Sequence, residues 1–321
     1  MTMHTFLEFE RPIAELEGKI EELRQMAVAD PAMEITADVG RLQTRADDLI
    51  KTTYAKLTPW QKALVARHPG RPHFADYVAT LIDEFTPLAG DRLFGEDRAV
   101  VAGLGRFRGK PVAVIGQEKG NDTKSRITHN FGMAMPEGYR KAQRIFDLAN
   151  RFHLPVISFA DTQGAYPGVS AEERGQAEAI ARATQACLNL GVPFVATIIG
   201  EGMSGGALGI AVANRVYMLE HSIYAVISPE GCASILWRSS DKAQEAAQAM
   251  RITAQDLFDL KVIDGIVPEP VGGAHRAPQE AIEAVGETIA KALKEMEGLS
   301  PDELRRQRRQ KYLAMGRDLA P

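Results

Sequence analysis

Between residues 13 and 27, Ile13, Leu16, Ile20, Leu23 and Ala27 recur at steps of three and four. That spacing lines one apolar stripe along one face of a helix. Asp30-Pro31 interrupts it, and a second stripe runs through Val39, Leu42, Ala46 and Leu49 to Leu57. Two such helices across a short break predict an antiparallel hairpin, suited to packing or subunit contact. Gly/Pro punctuation in HPGRPH (68–73) closes the region.

From about residue 98 the pattern changes. AVVAGLGRFRGKPVAVIG (99–116) predicts two strands around a turn at Gly109-Lys110-Pro111. Helices are predicted over 137–152 and 171–191, and a third beginning at Gly206. Short buried strands are predicted over 154–161 and 192–200, with one or two more in 216–228. Strands alternating with helices, with glycine loops at the strands' carboxyl ends, indicate a layered α/β domain. The C-terminal tail is helical again. Ser300-Pro301-Asp302-Glu303 forms a capping box with proline at the first helical position, and Leu299 and Leu304 have staple spacing.

Composition narrows the class. The chain has 321 residues, 45% hydrophobic and 25% charged, with a net charge of −4. This gives no global case for nucleic acid or an anionic membrane. No apolar run is long enough to span a bilayer, and the acidic N-terminus does not resemble a signal peptide, so a cytoplasmic protein is expected. Cys187 and Cys232 stand alone, which suggests a reducing compartment and no protein zinc site. The seven histidines (His4, His68, His73, His129, His153, His221, His275) form no metal-ligand pair, and structural roles are expected for each.

Two motifs fail on spacing. GLGRFRG (103–109) has Arg108 where a dinucleotide fingerprint needs glycine, and it lies between strands. As a phosphate loop its glycines are one residue too close, and Pro111 follows Lys110. The basic run RRQRRQK (305–311) is expected to be a solvated helix face.

The glycine loop GEGMSGGAL (200–208) supports two chemistries. Gly202-Met203-Ser204-Gly205-Gly206 matches the G-x-S-x-G elbow of serine hydrolases. That reading needs a histidine to activate Ser204, and His275 is a better candidate than His221. In the other reading Gly205 and Gly206 open a helix, where N–H groups lack internal partners and a substrate oxygen can approach closely. Glycines serving only tight packing is the plain alternative. DTQGAYPG (161–168) is a second loop of the same kind, and two such loops would meet at one edge of the sheet.

DTQGAYPGVSAEERGQAEAIAR (161–182), IGEGMSGGALGI (199–210), SPEGCASILW (228–237), DEFTPLAGDR (83–92), NFGMAMPEGYRKA (130–142), IVPEPVGGAHR (266–276) and FERPIAELE (9–17) together resemble the alpha subunit of the bacterial acetyl-CoA carboxylase carboxyltransferase. The resemblance runs in order along nearly the whole chain. It implies a crotonase-like (ClpP/crotonase) α/β spiral of ββα units, with an N-terminal helical region over 1–85, a carboxyltransferase core over 86–276 and a C-terminal helical region over 277–321. It implies carboxyl transfer from carboxybiotin to acetyl-CoA, giving malonyl-CoA for fatty acid biosynthesis. The implied partners are a beta subunit in an alpha2beta2 assembly, which carries the zinc and most of the CoA site, a biotin carboxyl carrier protein holding the biotin covalently, and a biotin carboxylase. Carried onto this chain, backbone amides of Gly205, Gly206 and Ala207 would face the biotin oxygen. Gly164, Ala165 and Ser204 would shape the pocket, with no protein nucleophile and a non-catalytic scaffold as the remaining alternative. Two departures stand out: Gln163 where the family usually has proline, and Met203 where it usually has glycine. Met203 would disfavour a positive φ in the loop.

Overall fold

The computed structural model describes residues 5–30 and 34–317. Helices Arg11–Ala29 and Thr36–Tyr54 form the expected hairpin, burying Ile13, Ile20, Ala46, Ile50 and Tyr54. Pro31, the expected interruption, and His4 lie outside the described residues. Two helices that the apolar stripes do not announce follow, Pro59–Ala66 and Phe74–Leu81. The first starts at a reciprocal cap: the Gln61 N–H donates to Thr58 Oγ1 and the Thr58 N–H to Gln61 Oε1.

Eight strands form one mixed sheet: β1 (Ile82–Pro87), β2 (Val100–Phe107), β3 (Lys110–Gln117), β4 (Val156–Thr162), β5 (Phe194–Met203), β6 (Arg215–Leu219), β7 (Ile223–Ala225) and β8 (Gly265–Val267). Their order is β1-β2-β3-β4-β5-β6-β8, with β7 pairing along the carboxyl end of β5. The β1-β2-β3 pairings are antiparallel and all others parallel. β1 straddles residues 85 and 86, so the sheet begins within the N-terminal stretch.

Helices cover both faces. Val112 and Val114 of β3 join Phe74, Tyr77, Ile282 and Val285 on one side. Ala113 and Ile115 join Tyr139, Ile145, Ala183 and Ile210 on the other. This is why β4 and β5, buried at every residue, read as continuous apolar runs without alternation. Helix Pro136–Phe152 carries proline in its first turn and ends at His153 in the left-handed region (φ 54). The helix expected over 171–191 is two, Val169–Glu172 and Gln176–Asn189, because Gly175 takes φ 80 between them.

The C-terminal helix Pro301–Ala314 has the expected capping box, and Leu304 is buried. The solvated-face expectation for 305–311 is corrected, since Arg308 is fully buried. Its guanidinium donates to the carbonyls of Cys187 (2.9 Å) and Leu190 (2.7 Å) and bonds the Asn214 side chain. Lys311 pairs with Asp264. Arg308 thus caps the carbonyl end of helix Gln176–Asn189. Both cysteines are free.

Candidate functional site: two glycine loops at one edge of the sheet

The parallel pairing of β3, β4 and β5 brings their carboxyl ends to one edge. At the end of β5 the chain stays extended through Met203 (φ −108, ψ 127), then turns at Ser204 (φ 53) into helix Ser204–Ala211. The conformational concern about Met203 is therefore corrected. Its side chain is buried beside Ala63, Ala66 and Ile223, and the left-handed residue is the exposed Ser204.

No side chain caps this helix. The N–H groups of Ser204, Gly205 and Gly206 precede the first residue whose N–H can reach back four positions. Ala207 is that residue; the helical register turns its N–H onto the Met203 carbonyl. The free donors of the first turn therefore begin one residue earlier than the sequence pattern suggests, at Ser204 and not at Gly205.

The first loop reaches the second by direct contact. A β-carbon on Gly206 would stand 2.7 Å from the carbonyl carbon of Gly164 and 2.8 Å from the nitrogen of Ala165. Gly164 takes φ 130 and donates its N–H to Thr162 Oγ1, which donates to the Gly132 carbonyl at 2.7 Å. The fully buried Gln117 ties both loops to β3. Its amide donates to the Gly206 carbonyl (2.9 Å), and its oxygen accepts the Asp161 N–H (3.1 Å).

Beneath the loops lies an ionic network that the sequence patterns do not reveal. Lys119 Nζ stands 2.6 Å from Asp161 and 3.0 Å from Glu201. Arg67 stands 2.6 Å from Glu201 and 2.5 Å from Glu230, in the first turn of helix Pro229–Trp237. Burial opposes the Lys119 charge, but Asp161 and Glu201 outweigh it and hold the ammonium above its ordinary range. Burial likewise opposes ionisation of Glu201, and Lys119 and Arg67 hold it below. Arg67, Lys119, Asp161 and Glu201 line a cavity of about 270 Å³ with Arg71, Arg126, Phe131 and Gln163. The only local hint was that Asp161 and Glu201 border the glycine loops; Lys119 and Arg67 arrive from distant segments.

A larger cavity of about 580 Å³ opens at the opposite edge, beneath the end of helix Pro278–Glu295. Its walls are mostly apolar, its Arg108 and Lys110 pair with Glu287 and Glu297, and it lies away from the glycine loops.

The serine-hydrolase arrangement does not form. His275 stacks on His68 with ring centroids 3.9 Å apart, and its Nε2 faces the Tyr54 hydroxyl at 3.4 Å. His221 is buried with its N–H backbone bonded to Glu269. Among the described residues no histidine bonds Ser204, and no group of three or more His, Cys, Asp or Glu side chains is placed to hold a metal ion.

A family model described as "Acetyl co-enzyme A carboxylase carboxyltransferase-like" matches residues 6–316. The chain is 63% identical over 315 residues to the acetyl-coenzyme A carboxylase carboxyl transferase subunit alpha of Parvibaculum lavamentivorans, covering 98% of this chain and 99% of that one. It is 65% identical over 317 residues to the subunit of the same name from Methylobacterium nodulans, covering 99% and 100%. Among solved structures, the transcarboxylase 12S core superposes with a TM-score of 0.57 at 19% identity, over 70% of this chain and 41% of that one. This chain thus spans about two fifths of that protein. A Pseudomonas malonate decarboxylase hetero-tetramer in complex with coenzyme A gives 0.55 at 18% identity, over 68% and 85%. At these identities the structural likeness concerns the fold, which is the crotonase-like one.

Proposed function

The chain belongs to the family of acetyl-CoA carboxylase carboxyltransferase alpha subunits, and from that premise we propose that its two glycine loops form the biotin side of the transfer site. The family's activity is carboxyl transfer from carboxybiotin to acetyl-CoA, giving malonyl-CoA in fatty acid biosynthesis. The serine-hydrolase and scaffold alternatives give way to it.

The observation that carries the site assignment is the contact of Gly206 with the Gly164–Ala165 peptide. It leaves a cradle without side chains beside a helix start whose donors lack internal partners. A ureido oxygen fits such a place, because charge developing on it is met by fixed N–H dipoles. Gly205 and Gly206 are the donors in this reading, with the Ser204 N–H next to them; Ala207 packs beneath. Gly164 and Ala165 form the opposite wall. Biotin, when bound, supplies the nitrogen that carries the carboxyl group; this chain holds and orients the ring and excludes water.

An alpha subunit implies a beta partner. We assign the partner contact to the face around helix Pro229–Trp237, whose Ile235, Leu236 and Trp237 are exposed and whose Glu230 reaches the site through Arg67. An alpha2beta2 assembly, a biotin carboxyl carrier protein bearing the biotin, a biotin carboxylase and a cytoplasmic location complete the proposal. Among the described residues no helix is long and apolar enough to cross a membrane.

The test is co-purification with the beta subunit, followed by malonyl-CoA decarboxylation with free biotin. The pair should be active and this chain alone inactive. Full activity of the isolated chain would overturn the reading.

A further inference from the structure

The cavity at the carboxyl edge is lined with charge, and most of it is satisfied. Arg67 is held by Glu201 and Glu230, Arg71 by Glu269, and Lys119 by Asp161 and Glu201. Arg126 is different. Its guanidinium makes one long bond, from Nε to the Gly120 carbonyl at 3.4 Å, and among the described residues it has no ion pair. Asp122, one turn before it, is engaged by the Ser125 N–H at 2.7 Å. His73 lines the same cavity with both ring nitrogens buried and without a partner. A guanidinium with no ion pair, whose nearby carboxylate Asp122 is already engaged by Ser125, and an unpartnered imidazole lining the same cavity suit an oxyanion.

Phe131 gives the cavity a second unusual wall. Asn130, Phe131 and Gly132 take φ values of 47, 53 and 76, three consecutive left-handed residues, two of them not glycine. The surroundings hold this strain in place. Asn130 Nδ2 donates to the Met133 carbonyl at 2.7 Å, and Thr162 Oγ1 donates to the Gly132 carbonyl. A β-carbon on Gly132 would stand 2.9 Å from the Asp161 carbonyl oxygen and from Lys119 Cγ. The outcome is an aromatic ring left 42% exposed in the lining of this cavity. A strained backbone that presents an apolar ring to solvent, in the lining of the same cavity as a cation with no ion pair, points to a ligand. Gln163, exposed next to Gly164, joins this cavity to the glycine loops.

We propose that the cavity is an oxyanion subsite for the acyl thioester substrate, with Arg126 as its cation and Phe131 as its apolar wall. It rests on the family reading for the identity of the thioester. The anion is a carboxylate or a phosphate, and malonyl-CoA carries both.

The experiment is calorimetric binding of four thioesters to the assembled complex with its beta partner, comparing the native protein with Arg126→Ala, Arg126→Lys and Phe131→Ala. If the anion is phosphate, Arg126→Ala weakens malonyl-CoA and acetyl-CoA by about ten- to hundredfold and leaves malonyl-pantetheine unchanged. If it is the carboxylate, malonyl-CoA and malonyl-pantetheine weaken and acetyl-CoA does not. Either way Arg126→Lys recovers part of the loss, and Phe131→Ala weakens the same ligands. Unchanged binding of all ligands in Arg126→Ala would overturn the subsite. So would equal weakening of acetyl-pantetheine, which carries neither anion and would report general distortion. If the native complex binds none of the four, the family reading fails instead.

Discussion

Gly206 and Gly164 are in contact through their backbones: a β-carbon at 206 would lie 2.7 Å from the Gly164 carbonyl carbon and 2.9 Å from its Cα. Neither neighbour is a flexible side chain that could swing away. Gly206→Ala must therefore push the two loops apart. Misplacement of this order costs about a hundredfold in rate, which the biotin-dependent decarboxylation of malonyl-CoA would measure. Gly205→Ala is the matched control. Its β-carbon would meet the Ile180 Cγ2 methyl at 3.2 Å, a side-chain contact that needs to give by only a few tenths of an ångström. The N–H donor survives in that variant, so activity should stay within about threefold. Equal loss in both variants would separate the rate from the loop contact.

Ser204 combines exposure, φ 53 and the absence of a histidine partner. Ser204→Ala should keep activity within about tenfold, whereas removal of a true nucleophile costs several orders of magnitude. Ser204→Gly should relieve the left-handed conformation and raise stability by up to about 1 kcal/mol, offset in part by unfolded-chain entropy. A urea midpoint that falls in Ser204→Gly would argue against strain at this position.

The sequence made the element types of the core legible because β4, β5 and helix Pro136–Phe152 are long, apolar and clearly punctuated. Helices Pro59–Ala66 and Phe74–Leu81 escaped because they are short, each 8 residues, and flank a Gly/Pro cluster. Glycine loops at strand ends were visible as a pattern, and their meeting followed from parallel topology. The partners of Glu201 were not visible. Lys119 and Arg67 lie 82 and 134 residues away, and no local spacing signals a pairing across strands. Arg308 failed for a related reason. A basic helix looks solvated until the carbonyls it caps are known.

Arg308 anchors the C-terminal helix through hydrogen bonds to buried carbonyls on three residues, Cys187 at 2.9 Å, Leu190 at 2.7 Å and Val192 at 3.3 Å. Burial pulls its guanidinium down to about 10, still charged at neutral pH. Arg308→Ala leaves these carbonyls and Asn214 without their donor, and should cost about 3 kcal/mol or more. Arg308→Lys should recover little, because an ammonium cannot reproduce the planar fork. Chemical denaturation at pH 7 reads both. A cost below about 1 kcal/mol for Arg308→Ala would show the helix to be held by Leu304 and its apolar neighbours instead.

The hairpin's docking site makes stability fall with acid from an unusually high pH. His275 is pulled down to about 3 by burial first, then by the neighbouring His68, Arg71 and Arg276. His68 is lowered as well, mainly by burial. Above pH 6.5 both histidines are neutral in the folded and unfolded chain and contribute no slope. As pH drops below 6.5 the unfolded chain takes up protons that the folded one resists, so stability falls by about 1.4 kcal/mol per pH unit for each such group. For His275 the decline ends near its folded value of about 3. Glu269 acts lower. Burial raises it, but Arg71 dominates and holds it at about 2, so its contribution is complete above its ordinary 4.5 and is lost as pH falls towards 2. Unfolding free energies at pH 7, 6 and 5 should therefore decline before carboxylates titrate. His275→Gln should make that stretch shallower, with His68 and the likewise lowered His221 keeping the remaining slope, and leave the steeper loss below pH 4.5 in place. An identical slope between pH 6.5 and 4.5 in His275→Gln would assign the acid sensitivity elsewhere.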